Sequence, residues 1–344
     1  MILFLADYPQ GEVVKEGMSQ RILNIDSFHS DYERVYLCVS PFRYKRLRKQ
    51  KISDKITLYH CNSIIHFFTI IRLFRKASKV YIHSVYNVLP SFPYISSINN
   101  KYILDLHGVV PEENALVGLK FRSSVFNKCE QLIFSKSNTT IITVTDSMRE
   151  HFEKKYTGNK VKFIKYIIFP NNLKQYVGGV AAIDNKVHIV YSGNLQKWQN
   201  IDLMLDTMEN MMRNKNYVFH LLTGESEELN RLVLERIGHS ERISIRSLHP
   251  SQLGEVYSQC HYGFVLRDDI IVNNVACPTK IIEYMNYGIV PIVLNDNIGD
   301  FKSYGYERVT VDCVNNLVPK KSTLNVDIIQ RMKSENVLVD IRNL

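Results

Sequence analysis

A chain of 344 residues has room for about two domains of ordinary size. With 45% apolar and 22% charged residues, its composition is that of a soluble globular protein and excludes a disordered chain, a collagen-like repeat and a small disulfide scaffold. The net charge of +9 is uneven: residues 1–180 hold 26 Lys/Arg against 14 Asp/Glu, and residues 181–344 hold 17 against 20, which points to an anionic partner for the first half.

The most apolar stretch, Ser63 to Ile71, contains His66 and stops at Arg72, far short of the roughly 18–20 apolar residues of a membrane span. The opening Met1-Ile2-Leu3-Phe4-Leu5-Ala6 lacks a basic leader segment, meets Asp7 at once, and reads as a first strand instead of a signal peptide. None of the six cysteines forms a C-x-x-C pair and the eleven histidines are scattered. The expectation is buried free thiols, a reducing cytoplasmic setting and no metal held by protein ligands. The densest basic run is Arg43, Lys45, Arg46, Arg48, Lys49 and Lys51. It reads first as a solvated helix face; the sharper reading is contact with anionic lipid headgroups. Nucleic acid is disfavoured, because no base-reading or stacking motif accompanies the charge.

In chain order, strands are predicted at Ile2–Ala6, Arg34–Val39, Ile56–His60, Lys79–His83, Tyr102–Leu106, Thr139–Val144 and Val161–Tyr166, with helices at Gly17–Phe28, Ile64–Lys76, Leu116–Phe134 and Ser147–Tyr156. Apolar strands alternating with helices imply a parallel sheet covered on both faces. The pattern pauses at Pro170-Asn171-Asn172 and Gly178-Gly179, so Leu173–Lys186 reads as a linker. It restarts with strands at Val187–Tyr191, Tyr217–Leu222, Ile243–Ile245, Gly263–Leu266, Val290–Leu294 and Arg308–Val311. The helices between and after them are Ile201–Met212, Glu227–Ile237, Ser251–Gln259, Pro278–Tyr287 and Leu324–Lys333. The expected organisation is a first domain over 1–170, a second over 171–325, and a tail over 326–344 that returns to the first domain. Ligands of doubly wound sheets bind at the carboxyl ends of strands, which directs attention to the residues after Tyr191, Leu222 and Leu266 and to the helix at Pro278.

That helix has both ends marked, with Pro278 at the first helical position and Gly288 past the end. Its N-terminus is suited to a diphosphate, and Thr279 and Lys280 lie in the first turn. Glu283 shares a face with both and can accept hydrogen bonds from two ribose hydroxyls; the plainer reading is a surface Lys–Glu pair. After the domain's first strand, Ser192-Gly193-Asn194-Leu195-Gln196-Lys197-Trp198-Gln199-Asn200 offers close backbone approach at Gly193 and donors at Asn194 and Lys197. Trp198, the only tryptophan, sits in this loop. Gly224 makes a turn after the next strand. Arg267 ends a later strand, free to contact phosphate or to pair with Asp268 or Asp269, and Asn273 follows.

These segments, above all Glu283-Tyr284-Met285-Asn286-Tyr287-Gly288-Ile289-Val290-Pro291, resemble the carboxyl-terminal domain of GT-B fold glycosyltransferases of the retaining family-4 (group 1) type. The resemblance implies two Rossmann-like doubly wound α/β domains facing across a cleft, the first binding the acceptor and the second the nucleotide-sugar donor. It implies donor contacts at Gly193, Asn194, Lys197, Gly224, Asn273, Pro278 and Thr279, with Lys280, Arg267 and Glu283 in the reaction itself. Two departures stand out. The position eight residues before Glu283, often a first glutamate, is Val275; the Arg and Lys common after the glycine are Asn194 and Asn200.

In the first half, the strand Tyr102–Leu106 ends in His107-Gly108. The resemblance makes His107 the group that reaches the donor sugar and brings Gly17 close to the donor. Glu112 and Glu113 either bind acceptor hydroxyls or cap the next helix. Arg21 either contacts an acceptor anion or pairs with Asp26 or Glu16. Asp105 reads as a buried, bonded group.

The combined expectation is a metal-independent, cofactor-free glycosyltransferase that moves a sugar with retention from a nucleotide-sugar to a saccharide acceptor. The basic half favours a lipid-linked acceptor at the inner face of the plasma membrane, as in capsule or O-antigen assembly. The competing readings are a nucleotide-sugar epimerase, a membrane- or nucleic-acid-binding module, and an inactive binding homologue.

Overall fold

The computed structural model describes residues 1–11, 17–170, 173, 184–337, 339 and 341. The expected linker and its Gly178-Gly179 turn therefore lie almost wholly outside the described residues. The chain divides into two compact units, Met1–Ile168 with Val337–Leu344, and Phe169–Asn336.

The first unit begins with β1 (Ile2–Leu5), α1 (Gly17–Ser27), β2 (Arg34–Ser40), β3 (Arg48–Ser53), β4 (Ile56–Asn62), α2 (Phe67–Lys76), β5 (Lys79–His83) and α3 (Val88–Ser97). It continues with β6 (Tyr102–Asp105), α4 (Val110–Leu116), α5 (Lys120–Phe134), β7 (Thr139–Thr143), α6 (Asp146–Lys155) and β8 (Lys162–Lys165). Its sheet runs β3-β4-β2-β1-β5-β6-β7-β8. Every neighbouring pair is parallel except β3–β4. The central strands β1, β6 and β7 are buried at every position, as strands covered on both faces must be.

The basic run is a correction to the expected helix face. Arg48, Lys49 and Lys51 lie on β3, which pairs antiparallel with β4 at the sheet edge, and Arg43, Lys45 and Arg46 lie just before it. Charged side chains on an outermost strand suppress pairing with another chain, so a polar sequence without apolar alternation is compatible with a strand there. The predicted helix Leu116–Phe134 starts only at Lys120, as α5; Leu116 ends the separate helix α4, and the break between them falls at Gly118, whose φ is +81°. The helix α3 was not predicted; it carries Pro90 in its first turn and Pro93 inside it, and proline disfavours a helix interior.

The second unit contains β9 (Val187–Ser192), α7 (Ile201–Met211), β10 (Tyr217–Leu222), α8 (Ser226–Arg236), β11 (Ile243–Arg246), α9 (Leu253–Gln259) and β12 (Tyr262–Val265). It continues with α10 (Ile271–Asn274), α11 (Thr279–Asn286), β13 (Val290–Val293), α12 (Phe301–Tyr304), β14 (Val309–Thr310) and α13 (Thr323–Val337). The sheet order is β11-β10-β9-β12-β13-β14, parallel throughout. Its core joins Ile189 and Tyr191 of β9 and Phe219 and Leu221 of β10 to Met204 and Met208 of α7 and Ile292 of β13.

The helix α11 is seated on the sheet by Tyr284, whose hydroxyl accepts the Ser192 backbone N–H at 2.8 Å. The ring crosses β12 at Gly263, where a Cβ would stand 2.5 Å from it. Gly263→Ala is expected to destabilise the protein by about 1–3 kcal/mol through overpacking. Urea unfolding checks this, and an unchanged midpoint would show that Tyr284 is not wedged.

Candidate functional site

In the second unit the strand order reverses between β9 and β12, and the carboxyl edge at such a reversal is where open α/β sheets bind ligands. Here β9 delivers Gly193, β12 delivers Arg267, and α11 starts with Thr279 and Lys280. Lys280 is buried, with its ammonium donating to Gln199 Oε1 at 2.8 Å and lying 4.2 Å above the Tyr191 ring. A Cβ at Gly193 would come within 3.0 Å of Lys280 Nζ, and the φ of +155° there also favours glycine. Arg267 Nη1 donates to Asn273 Oδ1 at 3.0 Å, while its buried Nε has no partner. Among the described residues no carboxylate forms an ion pair with Arg267.

Burial, together with repulsion from Arg267, pushes the Lys280 ammonium well below its usual pKa. Burial lowers Arg267 to about 10. Two desolvated cations facing the same edge make a site that an anion would stabilise. Glu283, one turn further on, is raised to about 7 by burial, against the opposing effects of the Tyr257 hydroxyl, which donates to Oε2 at 3.0 Å, and of Lys280.

The surrounding expectations divide. Asn194 and Lys197 are exposed; the Asn194 carbonyl accepts from the Tyr191 hydroxyl. Gly224 is exposed in the neighbouring turn, and Glu225 joins that turn to the loop by accepting the Leu195 N–H at 2.8 Å. Pro278 occupies the N-cap with ψ 122°, one residue earlier than expected, and Thr279 is the exposed first helical residue. Asn273 is fully buried, holding Arg267 and donating to the Asp268 carbonyl. It therefore positions a cation, which corrects its expected role as a donor contact. Val275 is buried in place of a first glutamate.

In the first unit the order reverses between β1 and β5. Arg21 corrects the expected acceptor contact: it is 1% exposed and is bound by Asp105 instead of Asp26, while Glu16, the other expected partner, lies outside the described residues. Its Nε and Nη2 bind both oxygens of Asp105 at 2.9 and 2.8 Å, and Nη1 donates to the Tyr166 carbonyl at 3.1 Å. Tyr81 completes the set, donating to Asp105 Oδ2 at 2.5 Å. Asp26 is bound instead by Arg34 and Tyr36. Glu113 accepts the Val109 N–H at 3.1 Å, closing the start of α4, and a Cβ at Gly108 would collide with it. Glu112 is held by Lys155 at 2.8 Å and His151 at 3.3 Å. Both glutamates thus serve the helix and its neighbours. Gly17 is the first residue of α1.

His107 stands two residues past β6, with Nε2 3.2 Å from His83 Nδ1. Sequence reasoning passed over His83, although it too ends a strand. Burial lowers both imidazoles, His107 to about 4. The residue after His83, Ser84, has a φ of +65°, a strained value for a non-glycine. Its N–H donates to the Asp105 carbonyl.

Two groups of described residues place three potential ligand atoms within 4.8 Å of one another: His83, Asp105 and His107, and Asp7, Cys38 and His60. In the first group both Asp105 oxygens are already engaged by Arg21 and Tyr81, and in the second burial raises the Cys38 thiol above its usual pKa.

Burial alone would raise Asp105, but Arg21 at bonding distance holds it well below the usual carboxylate range, with Tyr81, His83 and His107 also facing it. Its stabilising contribution is therefore present above the unfolded pKa of about 4 and is lost as pH falls below it. Asp105→Asn is expected to cost about 3–5 kcal/mol at pH 7 by stranding Arg21, and to flatten the acid limb of stability. Urea unfolding between pH 3 and 7 reads both effects; equal stability of the two proteins at pH 7 would refute the assignment.

No protein-family model matches the sequence, and no curated protein matches it. Solved structures do align with it. An E. coli structure described as trehalose-6-phosphate bound with UDP-2-fluoroglucose is 11% identical with a TM-score of 0.64, over 99% of this chain and 96% of that one. WaaG, a glycosyltransferase involved in lipopolysaccharide biosynthesis, is 10% identical with a TM-score of 0.62, over 100% and 97%. Anabaena HepE in complex with UDP-glucose is 12% identical with a TM-score of 0.60, over 99% and 92%. With two doubly wound sheets, parallel except for the β3–β4 edge pair of the first, and these alignments along its whole length, the chain has the GT-B fold.

Proposed function

We propose that this protein is a retaining glycosyltransferase that takes its sugar from a nucleoside-diphosphate donor. The observation that carries the proposal is the pairing of buried Lys280 with half-buried Arg267 at the strand-order reversal, with no carboxylate among the described residues ion-paired to Arg267 and with Glu283 one helical turn beyond. A diphosphate supplies the charge these cations lack, and the ribose hydroxyls can donate to Glu283. The bound nucleotide-sugars of the E. coli and Anabaena structures support the same class of donor. In the reaction the bond from the anomeric carbon to the diphosphate breaks, and a bond to the acceptor oxygen forms on the same face. The acceptor proton passes to the departing phosphate. Lys280 and Arg267 stabilise the charge that develops there as preorganised cations, a task that this reading assigns to them in place of a divalent ion.

Lys280→Met separates this reading from a structural one. Removing a buried charge for an apolar chain of similar length is expected to leave stability unchanged or raised, while UDP no longer perturbs the fluorescence of Trp198, which lies in the turn Lys197–Gln199 beside the Lys280 partner. Glu283→Ala is expected to lower kcat/KM by on the order of ten- to a hundredfold through two lost hydrogen bonds to its carboxyl group. Wild-type nucleotide binding and transfer in both variants would remove these residues from the site.

We also propose that the acceptor is lipid-linked and that the protein works against an anionic membrane in surface-polysaccharide assembly. Among the described residues no helix is long and apolar enough to cross a membrane. The first unit instead exposes Phe42 at 91%, Phe68 at 84% and Ile64 at 76%, beside Arg43, Lys45 and Arg46. One side chain ties the segment of Phe42 and Arg43 to the turn at Ile64: Asn62 donates to the Pro41 and Arg43 carbonyls and accepts the Ile64 and Ile65 N–H groups. Apolar tips within a basic rim match an anionic interface. The protein is expected to float with phosphatidylglycerol vesicles and not with phosphatidylcholine, and the double change Phe42→Ser with Phe68→Ser is expected to abolish flotation. Equal recovery with both lipids would count against this surface.

A further inference from the structure

We infer that His83 fixes the proton of His107 on Nδ1, making His107 a hydrogen-bond donor to a ligand oxygen instead of a general base. Arg21 binds both oxygens of Asp105 and keeps the carboxylate ionised. Tyr81 lies 2.5 Å from Asp105 Oδ2 and 3.2 Å from His83 Nδ1. A phenol has one proton to give. At 2.5 Å from a carboxylate that proton must go to Asp105, since two bare oxygens would otherwise repel each other there; the charge-assisted bond is also the stronger one.

The Tyr81 oxygen can then only accept from His83, so His83 carries its proton on Nδ1. That same N–H faces His107 Nε2 at 3.2 Å, which must present a lone pair. A neutral His107 therefore has its proton on Nδ1. The reverse arrangement leaves the same number of orphaned nitrogens but sets the lone pairs of Tyr81 and His83 against each other. The backbone reinforces this order. The strained Ser84 is held by the Asp105 carbonyl, which fixes the end of β5 against β6.

Two buried atoms remain without partners, His83 Nε2 and His107 Nδ1. A buried N–H without an acceptor calls for one. In this arrangement His107 Nδ1–H is such a donor, beside the carboxyl edge of β6, and a sugar hydroxyl or ring oxygen would satisfy it. His83 is a positioning residue, acting through His107. This role rests on the glycosyltransferase reading; the proton assignment does not.

The test is NMR of the full-length protein with 15N-labelled histidine at pH 7, with His107→Asn used for assignment. The expected spectrum shows His107 as the Nδ1–H tautomer. Tyr81→Phe, which removes the acceptor that directs the His83 proton while leaving Arg21 on Asp105, is expected to shift His107 toward the Nε2–H form. An Nε2–H tautomer in the wild type overturns the inference whether or not the protein transfers sugars. In turnover, His83→Ala is expected to lower kcat roughly five- to tenfold with the donor KM little changed. His83→Asn, which keeps an N–H donor near the Nδ1 position, is expected to restore most of that loss. Equal kcat in both variants would overturn the positioning role. An Nδ1–H tautomer in a protein without transferase activity would instead count against the glycosyltransferase reading alone.

Discussion

Parallel strands bring all their carboxyl ends to one edge of a sheet, and every charged residue placed there must be compensated within a few ångströms. That constraint organises both units. Where strand order reverses, the connections leave in opposite directions and the edge is open between them. The two units meet the constraint in opposite ways. At the reversal of the first unit the charge is settled internally, with Arg21 and Asp105 joined through two hydrogen bonds and both excluded from water. At the reversal of the second, a buried and a half-buried cation stand together, and their partners among the described residues are two amides, an aromatic face and a carboxylate that burial itself drives toward the protonated form.

This contrast separates framework from site. A closed ion pair rigidifies and orders what surrounds it, and here it sets a chain of proton positions running through Tyr81 and His83 to His107. An open pair of cations stores unfavourable electrostatic energy that a suitable anion releases. The glycines fall into the same scheme. Gly193 makes room for the Lys280 ammonium, Gly263 for the Tyr284 ring, and Gly108 for the capping Glu113.

Much of this was legible in the sequence, because β-branched runs and capped amphipathic stretches follow directly from backbone geometry. The positions of Lys280 and Arg267 were legible as well, in the first turn of a helix and just past the end of a strand, with Glu283 one turn after Lys280 on the same face; the roles assigned to them rest on the resemblance. What stayed hidden depends on contacts between distant segments. Arg21 stayed open between an anion contact and a nearby carboxylate because its partner, Asp105, is 84 positions away. Asn273 looked like a ligand contact because nothing local shows that it braces Arg267. His83 was silent because its role exists only beside His107. The edge strand β3 was missed for another reason: an outermost strand needs no apolar face, so its sequence carries no alternation.

The final residues of the described chain have a consequence for biosynthesis. Ile341 is 1% exposed and belongs to the same core cluster as Ile2, Phe4 and Tyr81, with Val339 packed against it. The first unit to be translated is therefore finished last. Its eight strands can pair while the ribosome is still producing the second unit, but its core stays incomplete until residue 341 has emerged. The second unit, continuous in sequence, has all its residues first, which reverses the usual N-to-C order in which domains mature.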